Sequence, residues 1–590
     1  MLQIWLDRAQ IRPTSNEILI DGEIVRVKPK TMAVLERLIT GRGEVVSREN
    51  ILNQVWPNME VSESALTDAI HELRRAFSDS SRHPRFIQTI PRRGYRLVAK
   101  VETLEAAADR LSASGRGTPR IAVLPFVSLS DEPEDRYFCE GLCEDLINDL
   151  GKTGQVEVVA RTSSLKAAAD QTDLRRIASR LGASHLVNGS LRRTNDRIRV
   201  IAHLVAPESG TEIWSEVYDR HLDDLITVQD QIAHSIVHAV LPHLEIPTAE
   251  GLVSVSTSNL EAYREFSKGR FFWIQDNTNP ARAMAHYQRA LELDPNFALP
   301  HVGMVECYNT FAVFHLMPQV PAREASIQHA EQALFLDPQS ADTQFAFGYM
   351  QFYMRWNWRL AEMAFRKALE FNPNHVLARC FLSFLYSALR RFTDSYTNAR
   401  AATRLDPFSP FAWFVLALIN SYRREFKETL YAAEQGLELT GEDVLLRYFQ
   451  ASSLARLGQP GRALKLTHEL YDRTADFPLW RSLVGVLYQM LHEPERTQHI
   501  RRQLHCDDGD GDPFVCSFVL TELGEIEFAL DCLEQMERDR DPAMWVIGSA
   551  PEFDPLRRHP RFIELLKRLG LDSASLRIWS PAEVNAETPG

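Results

Sequence analysis

Ser163-Ser164-Leu165-Lys166 sets a hydroxyl three residues before an amine, the S-x-x-K spacing in which lysine can take a proton from a nucleophilic serine. Lys152-Thr153-Gly154 supplies the K-T-G element that goes with such serines, and Gly151-Lys152-Thr153 matches the end of a phosphate-cradling loop. Context rejects both. K-T-G comes before S-x-x-K with no S-D-N between them, position 146 is Leu where the loop requires Gly, and a predicted helix precedes it where a strand is needed. CDDGDGDP (506–513) spaces Asp508, Asp510 and Asp512 like a calcium loop, but Val519 stands where the bidentate Glu belongs. Cys139 and Cys143 share a helix face without a second ligand pair, so both are expected to be small buried residues. Seven scattered cysteines form no disulfide framework. The expectation is a chain with no catalytic residue, cofactor or metal, and not an enzyme.

Charge points elsewhere. The 590 residues carry a net −13, yet residues 1–100 carry +4, which leaves −17 for the rest. Leu73–Lys100 holds eight basic residues and one acid, Asp79. A basic module on an acidic body fits a polyanion. The basic residues fall in TDAIHELRRAF (67–77) and FIQTIPRRGYRL (86–97). The first lies on a helix predicted over 63–77. Leu66, Ile70, Leu73 and Phe77 form its buried stripe, and Ser64, Thr67, Asp68, His71, Arg74 and Arg75 take the opposite face. The second alternates like a two-stranded ribbon, broken by Pro91-Arg92-Arg93-Gly94. Upstream, Ile18–Val27 reads as a hairpin, Pro29 opens a helix ending at Gly41, and Ser47 caps another that Pro57 stops.

Three helices and a hairpin predict a winged helix. VVSRENILNQVW, TDAIHELRRAF and FIQTIPRRGYRL resemble the effector domain of OmpR/PhoB-type transcription regulators, in the CadC/ToxR/HilA-like group. The resemblance implies a third helix in the major groove of promoter DNA, with Ser64, Thr67, His71, Arg74 and Arg75 facing it. It implies a wing whose Arg92, Arg93 and Arg96 approach phosphates or the minor groove, with Gly94 allowing the turn and Tyr95 packing the hairpin. It also implies that the loop Trp56–Val61 can touch RNA polymerase, and a homodimer on DNA is a further expectation. No receiver domain precedes the winged helix, so phosphorelay control in cis is not expected.

Residues 104–118 are an Ala/Ser/Gly/Arg-rich linker. From 119 to 245, strands at RIAVLPF, VEVVA, HLVNGSLRR, RIRVIAHLV and EIWSEVYDR mix with helices at 140–150, 174–181 and 224–240, which predicts an α/β sandwich. FCEGLCEDL, VVARTSS, GASHLVNGSLRR and WSEVYDR resemble the TolB N-terminal-like domain. Over 258–572, ALELDPN, ALFLDPQ, ALEFNPN and ATRLDPF place Asp/Asn-Pro steps at Asp294, Asp337, Asn372 and Asp406. The intervals are 43, 35 and 34 residues, and a period of 34 is the tetratricopeptide signature, which predicts an all-α solenoid. Its groove is expected to take a protein or peptide partner. Trp356 and Trp358 could line that groove, although core packing suits them better. FDPLRRHPRFIELLKRLGL reads as a capping helix, and 573–590 as a tail.

The winged helix is residues 1–103 in this scheme, and the chain is expected to be a bacterial, cytoplasmic transcription regulator. No apolar run reaches the length of a membrane span. The alternatives are a repeat scaffold with auxiliary DNA binding and an accessory subunit of a nucleotide-signalling system.

Overall fold

The computed structural model describes residues 4–572 except 7–8, 13–16, 21–22, 41–44, 57–62, 78, 80–83, 85, 91–92, 99–100, 104–118, 130–132, 170–172, 195–196, 222–234, 239–240, 242–256, 258, 276–279, 475–476 and 507–510. Most of the helix expected over 224–240 therefore lies outside the described residues. The chain forms two compact units, Met1–Thr118 and Pro119–Gly590.

In the first unit, β1 (Ile4–Leu6), β2 (Ala9–Arg12), β3 (Glu17–Ile20) and β4 (Glu23–Arg26) make an antiparallel sheet. Its far edge is β8 (Val101–Thr103), which pairs with β1. Only the hairpin β3–β4 was legible in the sequence; β1, β2 and β8 were not. Helices α1 (Pro29–Thr40), α2 (Arg48–Val55) and α3 (Glu63–Ala76) follow. Ser47 caps α2 as expected, its hydroxyl accepting from Asn50 N at 3.2 Å. The three helices share a core of Met32, Leu35, Leu38, Ile51, Leu66, Ile70, Leu73 and Phe77.

The second unit begins with a sheet in the order β11 (Glu157–Val158), β9 (Arg120–Val123), β12 (His185–Thr194), β13 (Arg197–Ala206), β14 (Thr211–His221). A short β10 (Val127–Ser128) pairs with β12. β11, β9 and β12 run parallel, and β12–β13–β14 form an antiparallel meander. Strand periodicity divides β9 between two cores. Ile121 and Val123 face α4 (Pro133–Lys152), with Leu142, Leu146, Cys139 and Cys143. Ala122 joins Leu124 and Leu186 on the other face, packed against Ile177 and Leu181 of α6 (Leu174–Leu181).

Sixteen further helices follow among the described residues, from Leu260–Gln275 to Ile526–Asp539, as eight consecutive helical hairpins. Asp294, Asp337, Asn372 and Asp406 each cap the second helix of a hairpin, donating N–H to the carbonyls of Ala290, Ala333, Ala368 and Ala402. Those alanines are fully buried. A methyl at each position lets neighbouring helices close together, and proline after the cap stops the helix. Trp358 is a core residue, and Trp356 packs against the same core.

Residues discarded as S-x-x-K catalysis instead join this array to the sheet. Ser163, on α5 (Arg161–Ala169), donates to Asp406 Oδ1 at 2.5 Å and accepts from Phe408 N at 2.9 Å. Lys166 Nζ donates to the Phe408 carbonyl at 3.3 Å. One repeat earlier, Asn374 accepts from Val158 N at 3.2 Å and donates to Val156 O at 3.1 Å, extending the edge strand β11 with a side-chain amide. Arg120 and Arg404 both clamp Glu157.

Two of the seven scattered cysteines do pair: Cys506 and Cys516 form a disulfide, with Cα atoms 5.4 Å apart. The calcium-like loop ends in Asp512, which caps helix Pro513–Glu522 and pairs with His315 at 2.9 Å.

Candidate nucleic-acid interface

Helix α3 forms because its apolar residues recur at spacings of 4, 3 and 4, giving one stripe with the rest left to solvent. Leu66, Ile70, Leu73 and Phe77 are buried, whereas Ser64, Thr67, Asp68, His71 and Arg75 are exposed. The helix is seated on α1 through Glu72, which accepts from Thr31 Oγ1 at 2.6 Å and from Lys28 N at 3.2 Å.

Arg74 does not join the open face. It is 9% exposed, and its Nη2 donates to the Ile87 carbonyl and to Thr89 Oγ1, each at 2.9 Å. It sits four residues after Ile70, one turn on and against the stripe, so the strand beside α3 covers it. The expectation that Arg74 faces a groove is corrected: this guanidinium ties α3 to the wing. Asp79 does the same from the helix end, accepting from Phe86 N at 3.1 Å and Ile87 N at 2.8 Å. Its role was not foreseen, although its being the one acid in a basic run was a signal. Between these clamps Phe77 stacks on Phe86, ring centroids 4.5 Å apart.

The wing is β6 (Ile87–Ile90) against β7 (Gly94–Leu97), in register Gln88↔Arg96 and Thr89↔Tyr95. β5 (Val46–Ser47) adds a third strand, pairing Val46 with Tyr95 and Ser47 with Gly94. Gly94 has φ +151°, and a Cβ there would lie 2.0 Å from the Val46 carbonyl oxygen. Glycine is thus required for the approach of β5 as well as for the bend. Tyr95 is buried under the Arg48 guanidinium, 5.8 Å from its ring centroid. Arg93 N donates to the Ile90 carbonyl at 3.1 Å and its side chain is exposed. Arg96 is half-buried and bridges to Gln88 Oε1 at 2.6 Å, which stiffens the ribbon. Arg92 and positions 57–61 of the loop Trp56–Val61 lie outside the described residues; Trp56 itself has Lys30 Nζ 6.0 Å from its ring.

The unit therefore presents a helix face of hydroxyls, an imidazole and Arg75, held by buried polar clamps to a ribbon carrying Arg93. Such groups can hydrogen-bond base edges and phosphates. Among the described residues, no group of three His, Cys, Asp or Glu side chains is placed to hold a metal, and no helix is long and apolar enough to cross a membrane.

The family model "Transcriptional regulatory protein, C terminal" matches residues 22–97. The chain is 37% identical over 189 residues to "Putative adenylate cyclase 3" of Rhizobium meliloti (strain 1021), a match spanning 32% of each chain. It is 22% identical over 472 residues to the transcriptional regulator HilA of Salmonella typhimurium, covering 76% of this chain and 80% of that one. It is 40% identical over 115 residues to the cholera toxin transcriptional activator of Vibrio cholerae, covering 18% of this chain and 39% of that one. The first of these matches overturns the expectation that the chain is not an enzyme, because a relative named as a cyclase shares a third of its length. Residues 22–97 thus match the C-terminal domain of transcriptional regulatory proteins, and the chain is similar to relatives named as transcriptional regulators and activators, HilA, CadC and the cholera toxin activator among them.

Proposed function

We propose that the chain is a transcription regulator that reads promoter DNA with residues 1–103. Helix α3 enters the major groove with Ser64, Thr67, His71 and Arg75, while Arg92 and Arg93 at the wing tip meet the backbone or a narrow minor groove. The observation that carries this reading is the exposed α3 face fixed beside an exposed wing arginine, with Arg74 turned inward to hold the two together. Residues 119–245, read as a TolB N-terminal-like domain, and 258–572, read as tetratricopeptide repeats, receive a signal or partner. A homodimer on DNA and a contact from the loop Trp56–Val61 to RNA polymerase belong to the same proposal.

Genome-wide mapping of bound sites tests it. Discrete promoter peaks that persist at physiological salt are expected, and diffuse occupancy would end the proposal. Arg92→Ala with Arg93→Ala should weaken binding to all sequences alike and flatten the plot of log affinity against log salt by about two units. His71→Ala or Arg75→Ala should instead change which bases are preferred, by about 1–3 kcal/mol at the affected position. Selection from a random duplex library reads that difference directly.

The match to the cyclase-named protein favours a second reading, nucleotide signalling. Incubating the purified chain with ATP and a divalent cation distinguishes it, since cyclic AMP formation would move the assignment to nucleotide chemistry.

A further inference from the structure

The first helices of successive hairpins pack on one another, so the repeat array has one continuous inner face. A solenoid surface of that kind is where an extended peptide would lie. Here it is filled. After helix Ile526–Asp539 the chain turns at Arg540 (φ 57°), and two short 3₁₀ helices follow, Pro542–Gly548 and Pro551–Leu556. Residues 541–553 are buried without interruption.

Their partners lie on or at the ends of first helices. Trp545 sits among Phe352, Phe384 and Tyr422, ring centroids 5.6, 5.0 and 6.4 Å away. Ser549 meets Ser387 at 3.1 Å, and its carbonyl accepts from Arg424 at 3.0 Å. Glu552 accepts from Tyr448 OH at 2.8 Å, and Phe553 packs on Phe518 at 4.9 Å. A Cβ on Gly548 would lie 2.4 Å from the Ala388 carbonyl oxygen, so the segment meets the groove wall backbone to backbone. Asp541 and Asp512 together hold His315, which follows the second hairpin's first helix, and their carboxylates raise its pKa to about 10. One segment thus touches hairpins as far apart as the second and the eighth.

We propose that residues 541–556 are an internal ligand, a proline-bounded aromatic peptide that occupies the groove of the repeat array and closes it to external peptides of the same class. This replaces the expectation of an open groove awaiting a partner. A partner enters only by displacing Trp545 and Phe553.

A fluorescent synthetic peptide of residues 541–556 tests it on the full chain. Unaltered protein should bind it at least tenfold more weakly than the full-length variant Trp545→Ala with Phe553→Ala, whose own segment no longer holds the site. Equal affinity, or no binding by a variant that keeps its helical circular dichroism, would overturn the proposal. Should the variant lose its helices, hydrogen exchange on the unaltered chain decides. Amides of 543–553 should then exchange as slowly as those of helix Val376–Ala388, and faster exchange refutes an occupied groove.

Discussion

Arg74→Ala should destabilise the N-terminal unit by about 2–3 kcal/mol, because it removes two charge-assisted hydrogen bonds from a buried site and leaves the Ile87 carbonyl without that donor. Affinity for DNA should fall with it, as the wing loses its fixed relation to α3. The ranking of preferred sequences should stay the same, since Arg74 reaches no open surface. Chemical denaturation of residues 1–103 and library selection measure the two effects separately. A variant of unchanged stability with a new base preference would return Arg74 to the groove. The contrast with Arg75→Ala is sharp: one residue further along the helix, the exposed guanidinium should show the reverse pattern.

That pair shows how far the sequence could be read. Helix α3 and its stripe follow from apolar spacing, and the wing follows from alternation around Pro91 and Gly94. The opposite face was harder. Arg74 was counted as open because arginine is charged, although its position one turn after Ile70 places it against the buried stripe. The side chain solves the conflict by hydrogen-bonding strand β6, and no spacing within α3 reveals that strand's position. Strand β8 raises the same difficulty, since it pairs with β1 nearly the whole unit away in sequence. Among the repeats, the Asp/Asn-Pro steps that set the period coincide with helix C-caps, because capping is local. The segment 541–556 has neither helical nor strand period, only an apolar run between prolines, so its place among Phe352, Phe384 and Phe518 could not be anticipated. Ser163 and Lys166 carried a motif whose catalytic context was absent, and the contacts that explain them come from Asp406 and Phe408, more than 240 residues later.

The Ser163–Asp406 contact yields the other large effect. Asp406 is buried, and burial raises its pKa to about 6, with the Ser163 hydrogen bond and Lys166 acting in the opposite direction. Because the folded state holds this proton more tightly than the unfolded chain, whose carboxyl has its ordinary value near 3.8, this group's contribution to native stability declines as pH rises from about 4 to about 6. Above that window Asp406 is charged, and the Ser163 hydroxyl is its direct hydrogen-bond donor at 2.5 Å. Ser163→Ala should therefore cost about 2–3 kcal/mol at pH 7.5, the scale of a hydrogen bond to a buried charge together with the loss of an acceptor for Phe408 N. At pH 4.5, where Asp406 is mostly protonated in the folded chain, the same substitution should cost about half as much, because a neutral pair is weaker. Asp406→Asn keeps the shape without the charge and should flatten the dependence altogether. Thermal unfolding at the two pH values decides the matter. A penalty for Ser163→Ala that is equal at both would mean that Asp406 keeps one charge state between the two pH values, and would overturn the link between its ionisation and the strength of this junction.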